Sequence, residues 1–366
     1  MKDQIRSYTY DEIRKYIEDI GEKGFRAGQL FEWVQAKRVS DFSEMTNLSV
    51  ALRNRLDEDF LLDPLQIRRV QRASDGSTVK YLFGLSDGDA IESVWMRYRH
   101  GDSICVSSQA GCRMGCSFCA STMKGLNRSL TPAEMLSQVY DIEREIYDYG
   151  AYEEAFPGKS RDFNRDRVSS IIVMGMGEPF DNYDNVIRFI RLLVDEKGRN
   201  LSAREVTVST CGLTDGIYRL MDEELPITLA ISLHAPNDEI RSRIMPVAKA
   251  HPMDEIFEAC KEYFHKTGRR ITFEYSLMSG INDGDAHASE LSEKMRALMK
   301  TGVRLHINLI PVNAVKGRKV ERPDLRVISR FKKILEKNKI NATIRREMGS
   351  EIDAACGQLR LSGDNP

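Results

Sequence analysis

From residue 101 onward the chain repeats one grammar of apolar strand, loop and amphipathic helix. That alternation restricts the fold more than any other feature. Candidate strands span residues 104–107, 168–174, 206–209, 227–233, 271–277, 305–310 and 342–345. Helical stretches at 185–197, 214–222, 253–266, 285–300 and 324–337 separate them. Thr131-Pro132-Ala133-Glu134 is a capping box with proline at the first helical position, opening one more helix to about Tyr149. Such regular alternation means an α/β fold with a mainly parallel sheet, doubly wound or closed towards a barrel. Ligand contacts then collect in loops at the carboxyl ends of strands.

The amino-terminal part follows other rules. Ile13, Tyr16 and Ile17, then Leu30, Phe31, Trp33 and Val34, then Leu48, Leu52 and Leu56 recur at helical spacing. Residues 1–60 therefore read as a small helical module, with 10 basic and 12 acidic residues and no strong field of its own. Residues 61–100 switch to short alternating runs, IRRVQRAS, TVKYLFGL and AIESVWMRY, with turns at Ser74-Asp75-Gly76 and Ser86-Asp87-Gly88. A small antiparallel β extension is expected there. The barrel-like core spans 101–348, with a polar surface loop at 148–167, and residues 349–366 form a loop and tail.

Composition excludes several classes. With 41% hydrophobic and 30% charged residues the chain is not a disordered one. No apolar run approaches the roughly 18 residues of a membrane span, and MKDQIRSYTYDEIRKY is no signal peptide. Seven cysteines without a secretion signal point to reduced thiols in a cytoplasmic protein, not a disulfide framework. The net charge of −1 argues against wholesale coating of nucleic acid. It conceals asymmetry, however. Residues 301–349 hold 13 Lys/Arg against 4 Asp/Glu, and Arg68, Arg69, Arg72, Arg97 and Arg99 form a second basic group. Basic runs are often plain solvated faces, but two groups flanking one site suit a phosphate-binding surface.

Three cysteines stand just beyond the first core strand, in Cys112-Arg-Met-Gly-Cys116-Ser-Phe-Cys119. Gly111 and Gly115 permit the positive-φ turns that wrapping three thiolates around a metal requires. A structural zinc normally takes four closed ligands, and no fourth cysteine or histidine is near in sequence. Soft sulfur donors also suit iron–sulfur clusters, and three thiolates on four irons leave one iron open. Packed core cysteines, or a zinc site completed from a distant ligand, tolerate the glycines but do not call for this compact spacing.

Other candidates are weaker alone. Gly175-Met176-Gly177-Glu178-Pro179 follows a strand directly, yet lacks the third glycine of the dinucleotide fingerprint. Its glycines let a ligand approach the backbone, and its carboxylate can receive an ammonium. Ser209, Ser232-Leu233-His234 and Asn313 lie at strand ends, where ligand contacts and ordinary turn residues both occur. Cys356 sits among small residues past the last helix, where a buried filler or a flexible catalytic loop both fit. An isolated carboxylate such as Glu92 on an alternating strand ordinarily faces solvent.

Together these motifs bring out a resemblance. Cys-x3-Cys-x2-Cys with Phe118 before the last cysteine resembles the radical S-adenosylmethionine (SAM) enzymes. CVSSQAGCRMGCSFCASTMKGLNRSLTPAEM resembles their rRNA and tRNA adenine carbon-2 methyltransferase branch, and the likeness runs from FRAGQLFEWV to IDAACGQL. The resemblance implies a partial (β/α) barrel in which Cys112, Cys116 and Cys119 hold a [4Fe-4S] cluster. It makes Gly177, Glu178, Ser209, Ser232, Leu233, His234 and Asn313 the SAM contacts. It implies that Cys356 is methylated and carries the methyl carbon, that Cys105 is the resolving thiol, and that Glu92 accepts the proton. The implied substrates are adenine 2503 of 23S rRNA and adenine 37 of tRNA, with two SAM per turnover. An electron donor of flavodoxin or ferredoxin type, no membrane and a monomer complete the expectation; Cys211 and Cys260 receive no catalytic role. The related carbon-8 rRNA methyltransferases share the cluster and both catalytic cysteines, but GMGEP, FEYSLMSGIND and NLIPVN resemble the carbon-2 branch. A zinc-stabilised RNA-binding module without catalysis is the alternative of another class.

Overall fold

Each strand–helix unit of the carboxyl two-thirds forms where its periodicity dictates. The structure is a computed structural model that describes residues 2–99, 101–147, 168–313, 315, 317–345 and 352. The expected surface loop at 148–167 and Cys356 lie outside the described residues.

The amino-terminal module comprises α1 (Tyr10–Asp19), α2 (Phe25–Phe31) and α3 (Val50–Asp59), tied together by the parallel pair β1 (Asp3–Gln4) and β2 (Phe60–Leu61). Thr9 caps α1 in a reciprocal box with Glu12, as a Thr three residues before a Glu does. Ile13 and Ile17 are buried on one face of that helix.

One sheet runs through the rest. The strands β3 (Gln66–Arg72), β4 (Thr78–Gly84), β5 (Ala90–Tyr98) and β6 (Gly101–Cys105) pair antiparallel in sequence. A separate hairpin follows, β7 (Gln109–Gly111) with β8 (Leu126–Ser129). Next come α4 (Pro132–Tyr147), β9 (Ser170–Val173), α5 (Tyr183–Val194), β10 (Val206–Thr210) and α6 (Thr214–Met221). They are followed by β11 (Thr228–Ser232), α7 (Asp238–Ile244), α8 (Met253–Thr267), β12 (Ile271–Leu277) and α9 (Asp285–Lys300). The last elements are β13 (Leu305–Pro311), α10 (Leu325–Lys337) and β14 (Ala342–Ile344). Strand order is β14-β13-β12-β11-β10-β9-β6-β5-β4-β3. All pairings from β6 to β14 are parallel.

The antiparallel extension is continuous with the parallel sheet. β6 offers its second edge to β5, so the antiparallel strands prolong the parallel sheet. The helix expected at 185–197 begins earlier and stops at Val194. A turn closed by amides of Gly198 and Asn200 on the Asp195 carbonyl ends it.

Period-2 alternation sorts the strands into two faces. Ile104, Ile171, Val173, Val208, Leu229, Ile231, Phe273, Tyr275, Ile307 and Leu309 join the helices and the amino-terminal module in one apolar core. The intervening residues, including Cys105, Ser209, Ser232, Glu274 and Asn308, line the opposite face. Its polar character is what a sheet shaped for a ligand needs. Among the described residues no helix is long and apolar enough to cross a membrane.

Candidate active site

The cysteine loop hangs between the two strands of the β7–β8 hairpin. The Cys112 amide donates to the Gly125 carbonyl at 3.0 Å, closing its base. Gly111 (φ 83°) and Gly115 (φ 72°) take the left-handed conformation expected of them. Inside the loop the Cys119 amide donates to the Cys116 carbonyl at 3.2 Å, and the Thr122 hydroxyl reaches the carbonyls of Cys116 and Cys119, each at 3.0 Å. Two distant segments brace it. The Ser117 amide donates to the Ile244 carbonyl (2.8 Å), and Arg318 donates to the Cys119 carbonyl (2.9 Å) and the Thr122 hydroxyl (2.6 Å).

Cys112 and Cys116 are buried and Cys119 half-buried. Burial pushes the Cys112 thiol up to about 12, with Cys119 and Glu178 adding to it, and burial also raises Cys116, reinforced by both other cysteines. A soft cationic iron–sulfur core offsets both effects, because it stabilises thiolates. Among the described residues no three His, Cys, Asp or Glu side chains, Cys112, Cys116 and Cys119 included, converge on a point that a single metal ion could occupy.

The Gly175–Glu178 turn packs against the chain that leads into this hairpin. The amides of Ser108 and Gln109 donate to the Met176 carbonyl (2.9 and 3.1 Å), and the Glu178 amide to Gln109 Oε1 (2.9 Å). A Cβ at Gly175 would lie 2.6 Å from the Val106 carbonyl oxygen, and one at Gly177 (φ 101°) 2.5 Å from Gln109 Cβ. The room these glycines leave is thus filled by protein backbone and Gln109, a reason for glycine that sequence reasoning did not give. Buried Glu178 accepts from the amides of Phe180 (3.1 Å) and Cys211 (2.8 Å). Burial pushes its carboxyl up, while those donors work against the shift.

The strand-end residues meet from neighbouring strands. Ser209 Oγ lies 3.2 Å from Ser232 Oγ across β10 and β11. Leu233 buries its side chain in the core, which leaves its backbone for any ligand contact. His234 adopts φ 57°, a conformation that a non-glycine residue holds only when its surroundings enforce it. Asn282 enforces it, donating to the His234 and Ser276 carbonyls (2.7 Å each) and accepting from the Met278 amide at 2.7 Å. The Ser276 amide donates to His234 Nδ1 at 2.9 Å, so the neutral ring carries its proton on Nε2. Burial first, then Arg241, holds this imidazole down at about 3. Its ring meets Phe118 of the cysteine loop edge-on at 5.1 Å. Asn313 is exposed just beyond β13.

Cys105 ends β6 on the ligand face, packed with Val94, Met96, Ile172 and Met174. Glu92 does not face solvent, as an isolated strand carboxylate ordinarily would. It is 2% exposed and pairs with the equally buried Lys80 ammonium at 2.9 Å. Cys105 stands opposite Val94 in register, two residues from Glu92, so β5 and β6 bring the two expected catalytic groups to one face. Lys80 escaped notice in the sequence because a lysine on an alternating strand reads as a solvated residue. Cys211, given no catalytic role, packs in the same apolar cluster as Cys116, whereas Cys260 fills the main core. The basic groups lie towards opposite edges of the sheet: Arg68, Arg69 and Arg72 are on β3 and Arg97 on β5, while the carboxyl-terminal group lies around α10.

Residues 4–62 match the model of the ribosomal RNA large subunit methyltransferase N-terminal domain, and residues 106–291 that of the radical SAM superfamily. The chain is 49% identical to a probable dual-specificity RNA methyltransferase RlmN of Lachnoclostridium phytofermentans, over 99% of this chain and 95% of that one. It is 47% identical to the corresponding Bacillus subtilis protein, over 97% and 92%. The crystal structure of a radical SAM methyltransferase from Sphaerobacter thermophilus superposes with a TM-score of 0.89 at 41% identity, covering 97% of this chain and 98% of that one. The chain belongs to the RlmN family of dual-specificity RNA methyltransferases, within the radical SAM superfamily.

Proposed function

We propose that this enzyme methylates carbon 2 of adenine 2503 in 23S rRNA and of adenine 37 in tRNA through a methylated cysteine. The observation that carries the reading is Cys105 and the buried Glu92–Lys80 pair on one face of one sheet, at the end that bears the cysteine loop. The cofactors are a [4Fe-4S] cluster and SAM. Cys112, Cys116 and Cys119 hold the cluster, and Gly177, Glu178, Ser209, Ser232, Leu233, His234 and Asn313 contact SAM. When bound, the pair supplies a 5′-deoxyadenosyl radical, chemistry that an electron-poor ring carbon demands and no side chain provides.

The protein's own groups do the rest. The Cys356 thiolate takes a methyl group from one SAM by displacement. Its methyl group, after giving a hydrogen atom to that radical, bonds to carbon 2 of the adenine, and the unpaired electron left on the ring would return to the redox group that supplied one. Glu92, held by Lys80, accepts the proton from that carbon. The Cys105 thiolate then attacks the Cys356 sulfur, forming a disulfide; the sulfur–carbon bond breaks with its electron pair going to the base's methylene carbon, which takes up a proton to become the methyl group. The adenine must leave its stack to reach this face, and the basic groups at the sheet edges hold RNA phosphates. The electron donor is of flavodoxin or ferredoxin type, and the protein works in the cytoplasm as a monomer.

Mass analysis of RNA treated with the purified, reduced protein tests this reading. A methyl on carbon 2, lost in Cys356→Ala, is the expected result. A methyl on carbon 8, or normal turnover by Cys356→Ala, contradicts it.

A further inference from the structure

Among the described residues five lysine or arginine side chains are buried: Arg6, Arg38, Lys80, Arg199 and Arg241. Four of them meet a carboxylate. Arg6 meets Asp63 at 3.1 Å, Lys80 meets Glu92 at 2.9 Å, and Arg38 and Arg199 share Glu143. Arg241, with no exposed surface at all, meets none. Its guanidinium donates to the carbonyls of His251 (2.8 Å) and Cys211 (2.6 Å), and its Nε has no partner. Asp238, on the same helix, attracts the guanidinium through space but makes no ion pair with it, accepting from the Met253 amide instead. A buried cation without a counter-charge is unfavourable, and carbonyl dipoles compensate it only in part.

The cysteine loop is the place from which further negative charge can come. Arg241 donates to the Cys211 carbonyl at 2.6 Å, and Cys211 packs against Cys116 in one apolar cluster. The helix that carries Arg241 ends at Ile244, whose carbonyl holds the Ser117 amide inside the cysteine loop. Cys116, Cys211, Ile244, Met245 and Met278 form one apolar cluster, so little water screens the charge. Arg318 also touches the loop, but it is half-buried and better screened. Glu178 is separated from Arg241 by Cys211, whose amide it accepts while Arg241 takes the carbonyl of the same residue.

We propose that Arg241 is the built-in counter-charge of the iron–sulfur cluster, a positioning residue that favours the reduced state. This rests on Cys112, Cys116 and Cys119 being the cluster's ligands. Three thiolates on a doubly positive four-iron core carry about −1, and about −2 after reduction. Reduction adds one electron from the external donor, with no bond made and no proton required. A fixed positive charge in a dry environment stabilises the doubly negative form more than the singly negative one.

The test is a redox titration of the anaerobically reconstituted full-length protein without SAM, followed through the electron paramagnetic resonance of the reduced cluster. Arg241→Met should lower the equilibrium constant for reduction at least tenfold, about 59 mV for a one-electron couple. Arg241→Lys should stay within threefold of the parent. Iron uptake by Arg241→Lys but not by a folded Arg241→Met supports the proposal as well. An unchanged midpoint in fully loaded Arg241→Met overturns it, and so does an equal shift, or equal loss of iron, in both variants. A parent protein that binds no iron overturns the ligand assignment itself, and the proposal with it.

Discussion

Two buried polar regions of this molecule are built on opposite plans. Where the amino-terminal module docks on α4, Arg6 faces Asp63 and Asp141, Arg144 faces the same two carboxylates, and Glu143 is held between Arg38 and Arg199. Every charge there has a protein partner. Around the cysteine loop, three thiols, a buried Glu178, a neutral His234 and the carboxylate-free Arg241 are arranged without such mutual neutralisation. The first region completes the fold, while the second is completed by what it binds.

If that contrast holds, damage to the two regions should separate stability from chemistry. The largest effect belongs to the cysteine loop. Cys116→Ala should abolish cluster absorbance and lower methylation more than 1,000-fold, while chemical denaturation shifts by only about 1 kcal/mol. A joint collapse of fold and cluster would erase the distinction.

Glu143→Gln should do the reverse. It strands Arg38 and Arg199 in the core and costs about 3–5 kcal/mol of unfolding free energy, with the cluster spectrum of the folded fraction unaltered. Its pH dependence sharpens the point. Burial raises the Glu143 carboxyl, but Arg199 and Arg38 prevail and hold it at about 2, below its ordinary 4.5. The resulting stability is present above pH 4.5 and disappears as pH falls towards 2. Acid unfolding monitored by circular dichroism should therefore lose part of its steepness over this interval in Glu143→Gln.

Smaller effects test the ligand face. Lys80→Met leaves Glu92 without its ammonium partner, and turnover should fall about 10–100-fold with iron content intact. Unchanged single-turnover rates would remove Glu92 from the proton step. Gly177→Ala forces a positive φ on alanine and sets a Cβ against Gln109, costing about 1–3 kcal/mol. Calorimetric SAM binding should weaken accordingly, and an unaltered affinity would show that this turn does not shape the site.

Much of the scaffold is legible in the sequence, for a physical reason. Strands such as Ile271–Leu277 and helices such as Asp285–Lys300 bury a regular stripe, so their periodicity survives in the sequence. The cysteine loop was legible because ligand spacing and turn glycines are local. What pairs with what was not. Lys80 meets Glu92 only through the β4–β5 register, and Arg6 reaches Asp141 only through docking of a separate module. Arg241 reads as one more charge in Asp238-Glu-Ile-Arg241, a sequence typical of a solvated helix face. The short β7–β8 hairpin left no periodic trace either.

The most direct test of the central claim removes the resolving thiol. Cys105→Ala, loaded with cluster and given SAM, reductant and an adenine-containing RNA fragment, should stall after carbon–carbon bond formation. Intact-protein mass spectrometry should then show one RNA fragment attached through a methylene bridge at Cys356. Free carbon-2-methylated RNA at the parent rate, with no adduct, would contradict the account.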